Sequence, residues 1–409
     1  MESKENQELK FTSKAPAKII ISGEHAVVYN SKAISCAINL FATCEFNLER
    51  INSENKLDFI LLSLINLEEV HRLNYDQINR INKFVKLFEN NQNNSVVEFL
   101  INEPVEMFLY ELDDLKLPKN SLYFALMWNI IFSYFIYHKQ ISYVNIEKIL
   151  IDFFSTYNLK ISINLDFAHG AGLGSSAAVN VSLVTCFLKL INFIFPENQS
   201  NLNNDFDLDE HIDKDLLFLF SFMGEKFFHS KPSGIDNITS INKGMILYNS
   251  FKNFSYIIPS KIFSYNIKIF LIDTKIRRDT KTFIQKVKDF KLRHEKVFMN
   301  SIDSINYIVE EIHKNIINQD NLPIDELYSN LCRLISINQN LLNIIQVSTQ
   351  EIDRIVNILS SIGVPAKLTG GGGGGYVIAF VLKHNLDVFL ETSSNNGINA
   401  VESKIVNRY

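Results

Sequence analysis

The sequence predicts an α+β protein of two domains, and three observations carry that reading. The chain has 409 residues, and at ~100–200 residues per domain each half can bury a core of its own. In the middle, Leu159–Phe167 alternates as a strand, AHGAGLG makes a glycine-rich turn, and Ser175–Phe195 opens on small residues and runs on as an apolar helix. From Tyr265 onward the order is strand, helices, strand, strand, helix, strand, which is close to a ferredoxin-like layout.

The elements follow in chain order. Lys14–Val28 reads as a strand pair, AKIIIS and HAVVY, turning at Ser22–Gly23, and Ala33–Leu48 alternates as a further strand. Residues 52–120 are irregular and rich in Asn, with a helical stretch at Gln77–Phe88. Ser121–Tyr137 is apolar but only about 17 residues long, and Asn129 and Ser133 interrupt it. A spanning helix needs ~20 mostly apolar residues, so a buried core helix is expected. Asn198–Asp215 is acidic and polar, a surface connection, and Leu216–His229 returns to helical character before the turn KPSG. Tyr265–Asp273 is a strand, and two or three long helices fill Thr280–Ser361, one of them opening at Pro323. AKLT, a six-glycine run, YVIAFVL, a helix at Asn385–Ser394 and a last strand near Val406 close the pattern. The expected division is residues 1–258 and 259–409, with the last strand free to cross back.

Composition excludes several classes. Forty basic residues against 45 acidic ones leave a net charge of −5, which offers no basic surface for nucleic acid or anionic membrane. Cys36, Cys44, Cys186 and Cys332 lie far apart with no CxxC pair. That spacing suits a reducing compartment rather than a disulfide framework or a zinc ribbon. The polar start MESKENQELK does not read as a secretory signal, so a cytoplasmic location is expected.

Four segments carry chemistry. Gly170-Ala171-Gly172-Leu173-Gly174-Ser175-Ser176 lies between a strand and a helix N-terminus, where unpaired N–H groups and the helix dipole favour an anion. No Lys follows as in a Walker A loop, and neither G-x-G-x-x-G nor G-x-S-x-G is matched. The loop is a phosphate cradle or, more plainly, a cap on a core helix. Pro232-Ser233-Gly234-Ile235-Asp236 fixes a tight turn that holds Asp236 rigidly, with Glu225 eleven residues earlier at the end of an apolar helix; a lone carboxylate at such a place is also a common cap. Gly370–Gly375 sits between two strands, and six ordered glycines cost ~0.5–1 kcal/mol each relative to Ala, which favours a loop packed against a ligand or another loop. Lys18, in Ala15-Pro16-Ala17-Lys18, with Gly23-Glu24-His25 beyond it, means little alone.

Taken together and in this order, the segments resemble the GHMP kinases. APAKIIISGEHAVVY is similar to the family's A-P-G-K and G-E-H-A-V-V motifs, and G-A-G-L-G-S-S-A-A is matched without change. KPSGIDN matches P-S-G-[IV]-D-N, and Lys367–Gly374 matches K-L-T-G-A-G-G-G-G with Gly371 for Ala. Asp273–Thr280 looks like a further family stretch, T-K-V-P-R-N-T. Ala17, His169, Arg277 and Tyr376 depart from the usual Gly, Pro, Pro and small residue. His25 is followed by Ala26-Val27-Val28 rather than T-D-Y, which separates the chain from the galactokinase branch.

The resemblance implies a ribosomal-protein-S5-domain-2-like N-terminal domain and a ferredoxin-like C-terminal domain. It implies ATP and mevalonate as substrates, Mg²⁺ as cofactor and a homodimer. Gly170, Ala171, Gly172, Leu173, Gly174, Ser175 and Ser176 would hold the triphosphate together with Lys18, and Ser176 and Glu225 would hold Mg²⁺. Asp236 would take the proton of the acceptor hydroxyl, and Lys18 would favour the developing alkoxide. Glu24, His25, Asp236 and Thr280 would line the acceptor site. The alternatives are another small-molecule kinase of this fold, or a non-catalytic sensor built on it.

Overall fold

The computed structural model describes residues 8–52, 57, 59–90, 96–139, 143–195, 212–229, 232–250, 253–257, 266–276, 280–317 and 323–406. Strands β1 (Leu9–Ser22), β2 (Ala33–Arg50), β3 (Phe59–Leu64) and β4 (Glu69–Asn74) lead into helices α1 (Tyr75–Ile78), α2 (Ile81–Glu89), α3 (Val96–Asn102), α4 (Val105–Tyr110), α5 (Lys119–Lys139) and α6 (Tyr143–Thr156). β5 (Tyr157–Leu165), α7 (Ser175–Ile194), α8 (Lys214–Phe228), α9 (Ile235–Asn242), β6 (Met245–Ser250) and β7 (Asn253–Ile257) follow. The last stretch is β8 (Ile267–Asp273), α10 (Thr280–Arg293), α11 (Glu295–Ile317), α12 (Ile324–Ile344), α13 (Gln350–Ser361), β9 (Ala366–Leu368), β10 (Tyr376–Leu382), α14 (Leu386–Asn395) and β11 (Ala400–Ser403).

The chain forms two compact units. The first takes the chain up to Ala15, Ala42–Asp166 and Ser176–Pro232. In it β5 pairs antiparallel with the second half of β2 and parallel with β3, which pairs antiparallel with β4. Its core is aromatic: Trp128 of α5 stacks on Phe132 at 4.2 Å and on Phe154 at 5.7 Å, and Phe187 of α7 lies 5.3 Å from Phe124. The apolar run at residues 121–137 is thus a buried core helix, as its length and interruptions predicted. Among the described residues one helix, Ser175–Ile194, is long and apolar enough to cross a membrane, and 72% of its most apolar stretch is buried in protein.

The second unit takes Pro16–Phe41, Phe167–Ser175 and the chain from Ser233 onward. Its four-stranded sheet runs β11-β8-β10-β9, all antiparallel neighbours. With one helix between β10 and β11 and a helical set between β8 and β9, this is the predicted ferredoxin-like order, with four helices where two or three were expected. Phe270, Ile272, Phe298, Ile305, Val377 and Phe389 are among its buried core residues. The chain end does cross back: Ile405 bridges Ile38, and Val406 N donates to Ala37 O at 3.0 Å. The expected boundary near residue 258, and most of the expected surface connection at 198–215, lie outside the described residues.

One local expectation is corrected. HAVVY is not a second strand: Ala26–Tyr29 form a one-turn 3-10 helix, entered through His25 at φ 59°. Its valines and tyrosine suit a strand, but Ala26 is fully buried against the core of the second unit, and tertiary packing overrides so weak a local preference.

Candidate active site

In the second unit, β1 delivers Lys18 to the glycine-rich turn. Lys18 N donates to Leu173 O at 2.9 Å, and its buried ammonium lies 3.1 Å from Asp236 Oδ1. Asp236 is the second residue of α9, whose N-cap is Gly234 at φ 84°. The turn is fixed from β6, since Tyr248 donates its hydroxyl proton to Ser233 O at 2.6 Å. The turn after β5 closes on itself through a 3.1 Å bond from Gly170 N to Ser175 Oγ, at the head of α7. A Cβ at Gly174 would lie 3.0 Å from Lys18 Cε and 3.4 Å from Asp236 Oδ2. Lys18, Leu173, Gly174 and Asp236 are therefore brought together, and the acid–ammonium pair abuts the helix end suited to an anion.

Glu24 and His25 contact the β9 strand and the glycine run that follows it. Glu24, 1% exposed, pairs with Lys367 of β9, 0% exposed, and Lys367 also donates to Leu368 O at 2.7 Å. Burial pushes the Glu24 carboxyl up and the Lys367 ammonium down, while the contact between them opposes both shifts. Glu24 Oε2 is buried with no hydrogen-bond partner. Two neighbours tighten the same seam: Ile20 N donates to Thr369 Oγ1 at 2.8 Å, and His25 Nε2 lies 3.1 Å from Gly371 O. The glycine run then continues past the turn after β5, where a Cβ at Gly370 (φ 76°) would come within 2.7 Å of Gly172 O. The run is thus a loop packed against another loop, and Gly370 makes the approach. Gly371 is the one member of the run outside the left-handed region.

In the first unit, Ser176 at the start of α7 donates to Glu225 Oε2 at 3.2 Å, and Asn180 one turn later donates from Nδ2 to Glu225 Oε1 at 2.9 Å. Glu225 is near the end of α8 and 4% exposed. A hydroxyl and a carboxylate are hard oxygen donors that suit Mg²⁺, which takes one or two protein oxygens at ~2.1 Å and leaves the rest to phosphate and water. Adjacent ligands of such an octahedron lie about 3 Å apart, and the 3.2 Å separation of Ser176 Oγ and Glu225 Oε2 fits. Among the described residues no three His, Cys, Asp or Glu gather as a metal cage.

Thr280 opens α10; its side chain, and Arg277, lie outside the described residues. Sequence reasoning missed Lys367, Thr369 and Asn180 as members of these clusters, and Tyr123, whose hydroxyl donates to Asn180 Oδ1. The available signals were a lysine in the short strand AKLT and an asparagine inside an apolar helix.

Two family models match the chain, the GHMP kinases N terminal domain over residues 142–244 and GHMP kinases C terminal over residues 324–398. A mevalonate kinase of Arabidopsis thaliana is 26% identical over 375 residues, covering 91% of each chain. Among solved structures, the Methanococcus jannaschii mevalonate kinase superposes with a TM-score of 0.61 at 22% identity, over 98% of this chain and 99% of that one. The L. major mevalonate kinase in complex with R-mevalonate gives 0.59 at 19% identity, over 99% and 98%. The chain is thus similar to the GHMP kinases in two stretches, with the N- and C-terminal modules in the order the motifs implied.

Two stability predictions follow from the seam. Lys367→Met strands the Glu24 carboxyl in the core and should cost ~3–5 kcal/mol in denaturant unfolding; a loss under ~1 kcal/mol, the range of an exposed pair, would contradict the buried contact. Gly371→Ala should stabilise by ~0.4–1 kcal/mol, whereas Gly370→Ala, strained in φ and pressed on Gly172 O, should destabilise by more than that. Equal effects of the two changes would show that the run is a loose linker.

Proposed function

We propose that this kinase transfers the γ-phosphoryl of ATP to the 5-hydroxyl of (R)-mevalonate, giving 5-phosphomevalonate and ADP in isoprenoid biosynthesis. The observation that carries the reading is the Lys18–Asp236 pair, 3.1 Å apart and set against the glycine-rich turn. It is supported by the likeness to mevalonate kinases over nine-tenths of the chain.

Phosphoryl transfer passes through a loose, highly charged transition state, so the protein acts by positioning and charge stabilisation. Backbone N–H groups of Gly170–Ser176 receive the triphosphate at the head of α7. Asp236 accepts the proton of the acceptor hydroxyl as its oxygen attacks the γ-phosphorus and the bond to the β-phosphate oxygen breaks, leaving ADP. Lys18 sits where its ammonium offsets the charge growing on that hydroxyl. Ser176 and Glu225 would hold Mg²⁺, which when bound neutralises charge on the β- and γ-phosphates. His25 and Thr280 belong to the acceptor site in this reading. Glu24 belongs to it as well, with Lys367 paired to its carboxyl.

The same reading places the division of the chain at residues 258/259 and the enzyme in the cytoplasm as a homodimer, with no nucleic-acid or membrane partner. The four cysteines support the location, since none is disulfide-bonded and three are buried. The family resemblance supports the dimer.

A coupled ADP-release assay offering mevalonate, phosphomevalonate, galactose and homoserine tests the assignment. Saturable turnover is expected with mevalonate alone. Turnover only on phosphomevalonate or galactose would move the protein to another branch of the family, and ligand binding without ADP release would make it a sensor. In the same assay Asp236→Asn should lose ~10²–10⁴ in kcat with ATP affinity held within a few-fold. A variant keeping more than about half of the turnover would remove Asp236 from the role of base.

A further inference from the structure

We infer that Tyr123 and Asn180 form a positioning chain that orients the Glu225 carboxylate toward a divalent cation; the inference rests on the reading of Glu225 as a cation ligand. Tyr123 of α5 donates its hydroxyl proton to Asn180 Oδ1, and Asn180 Nδ2 donates to Glu225 Oε1 at 2.9 Å. Asn180 is 0% exposed, and Tyr123 is also buried. The polarity of the chain is set by chemistry. A carboxylate only accepts, so the amide must turn its NH₂ to Glu225, and its carbonyl then needs a donor on the far side. The Tyr123 hydroxyl supplies one. Burial and the neighbouring Glu225 charge push the Tyr123 phenol well up, so it remains the donor.

The backbone of α8 is cut to fit this chain. A Cβ at Gly224, the residue before Glu225, would overlap Asn180 Oδ1, so a side chain there would drive the amide off its carboxylate. The outcome is a division of labour between the two carboxylate oxygens. Oε1 is held by Asn180, and Oε2 faces the Ser176 hydroxyl 3.2 Å away. Ser176 and Asn180 are four residues apart on α7 and so lie on one face. One helix therefore carries both a candidate cation ligand and the group that sets the angle of its partner. Hydrogen-bonded partners behind a ligand orient it and raise its basicity, and their loss costs ~10–100-fold in metal affinity. Neither Tyr123 nor Asn180 is assigned a contact with ATP or acceptor; both act through Glu225.

Mn²⁺ binding to the enzyme–ADP complex, followed by electron paramagnetic resonance, tests the chain without relying on turnover. Asn180→Leu and Gly224→Ala should each weaken Mn²⁺ by ~10–100-fold, and Tyr123→Phe should weaken it by a smaller factor. ADP affinity measured in EDTA should stay at the wild-type value in all three, which a loss of packing alone would not give. Tyr123→Phe removes one oxygen and keeps the ring, so it stays informative where Asn180→Leu does not fold. Glu225→Gln serves as the reference. If Glu225→Gln weakens Mn²⁺ while folded Asn180→Leu and Tyr123→Phe bind it as tightly as wild type, the positioning chain is wrong and the ligand stands. If Glu225→Gln binds Mn²⁺ normally, the ligand reading fails and the inference falls with it.

Discussion

Burying an ammonium group removes its hydration, and the protein must return an equivalent set of partners or lose stability. Lys18 is 3% exposed, and the way its demand is met organises the second unit. Its main chain is bonded to Leu173 of the glycine-rich turn and its side chain faces Asp236 at the head of α9. One residue on β1 thus ties together a phosphate-suited helix end and a carboxylate held by a rigid Pro-Ser-Gly turn. Glu24 and Lys367 repeat the arrangement deeper in the same unit, and Lys18 is near enough for its charge to act on both. Three charged groups of one seam are therefore electrostatically linked, although only Asp236 among their partners is partly open to solvent.

Two buried carboxyls meet different partners. Glu24 of the second unit pairs directly with the Lys367 ammonium. Glu225 of the first unit accepts from the neutral groups of Ser176 and Asn180, and the imidazole of His229 lies 4.0 Å from its Oε2. Cancelled charge builds a rigid seam, whereas a carboxylate held by neutral donors still attracts a cation. What surrounds each carboxyl thus separates one paired directly with an ammonium (Glu24, with Lys367) from one that accepts from a hydroxyl and an amide (Glu225).

Much of this was legible in the sequence because glycine and proline constrain the backbone locally. The turn after β5, the N-terminus of α7 and the Pro-Ser-Gly turn were placed from their own residues, and the β8-to-β11 order followed from hydrophobic periodicity. The 3-10 turn at Ala26–Tyr29 was not legible, since four residues rich in Val carry a strand preference and only the core around Ala26 says otherwise. Lys367, Asn180 and Tyr123 escaped for a related reason. Each is a polar group inside an apolar element, and its partner lies 343, 45 and 57 residues away along the chain. No local pattern encodes such a distance. Glu24 shows the converse, because its motif was plain but its partner was not.

The central claim is that Lys18 and Asp236 act as one unit on the acceptor hydroxyl. Single-turnover rates with mevalonate for wild type, Lys18→Met, Asp236→Asn and the double variant test it most directly. Residues that act as a unit show strongly non-additive losses. The account predicts that the double variant is no more than a few-fold slower than the slower single variant. A double variant whose loss equals the product of the two single losses would contradict it.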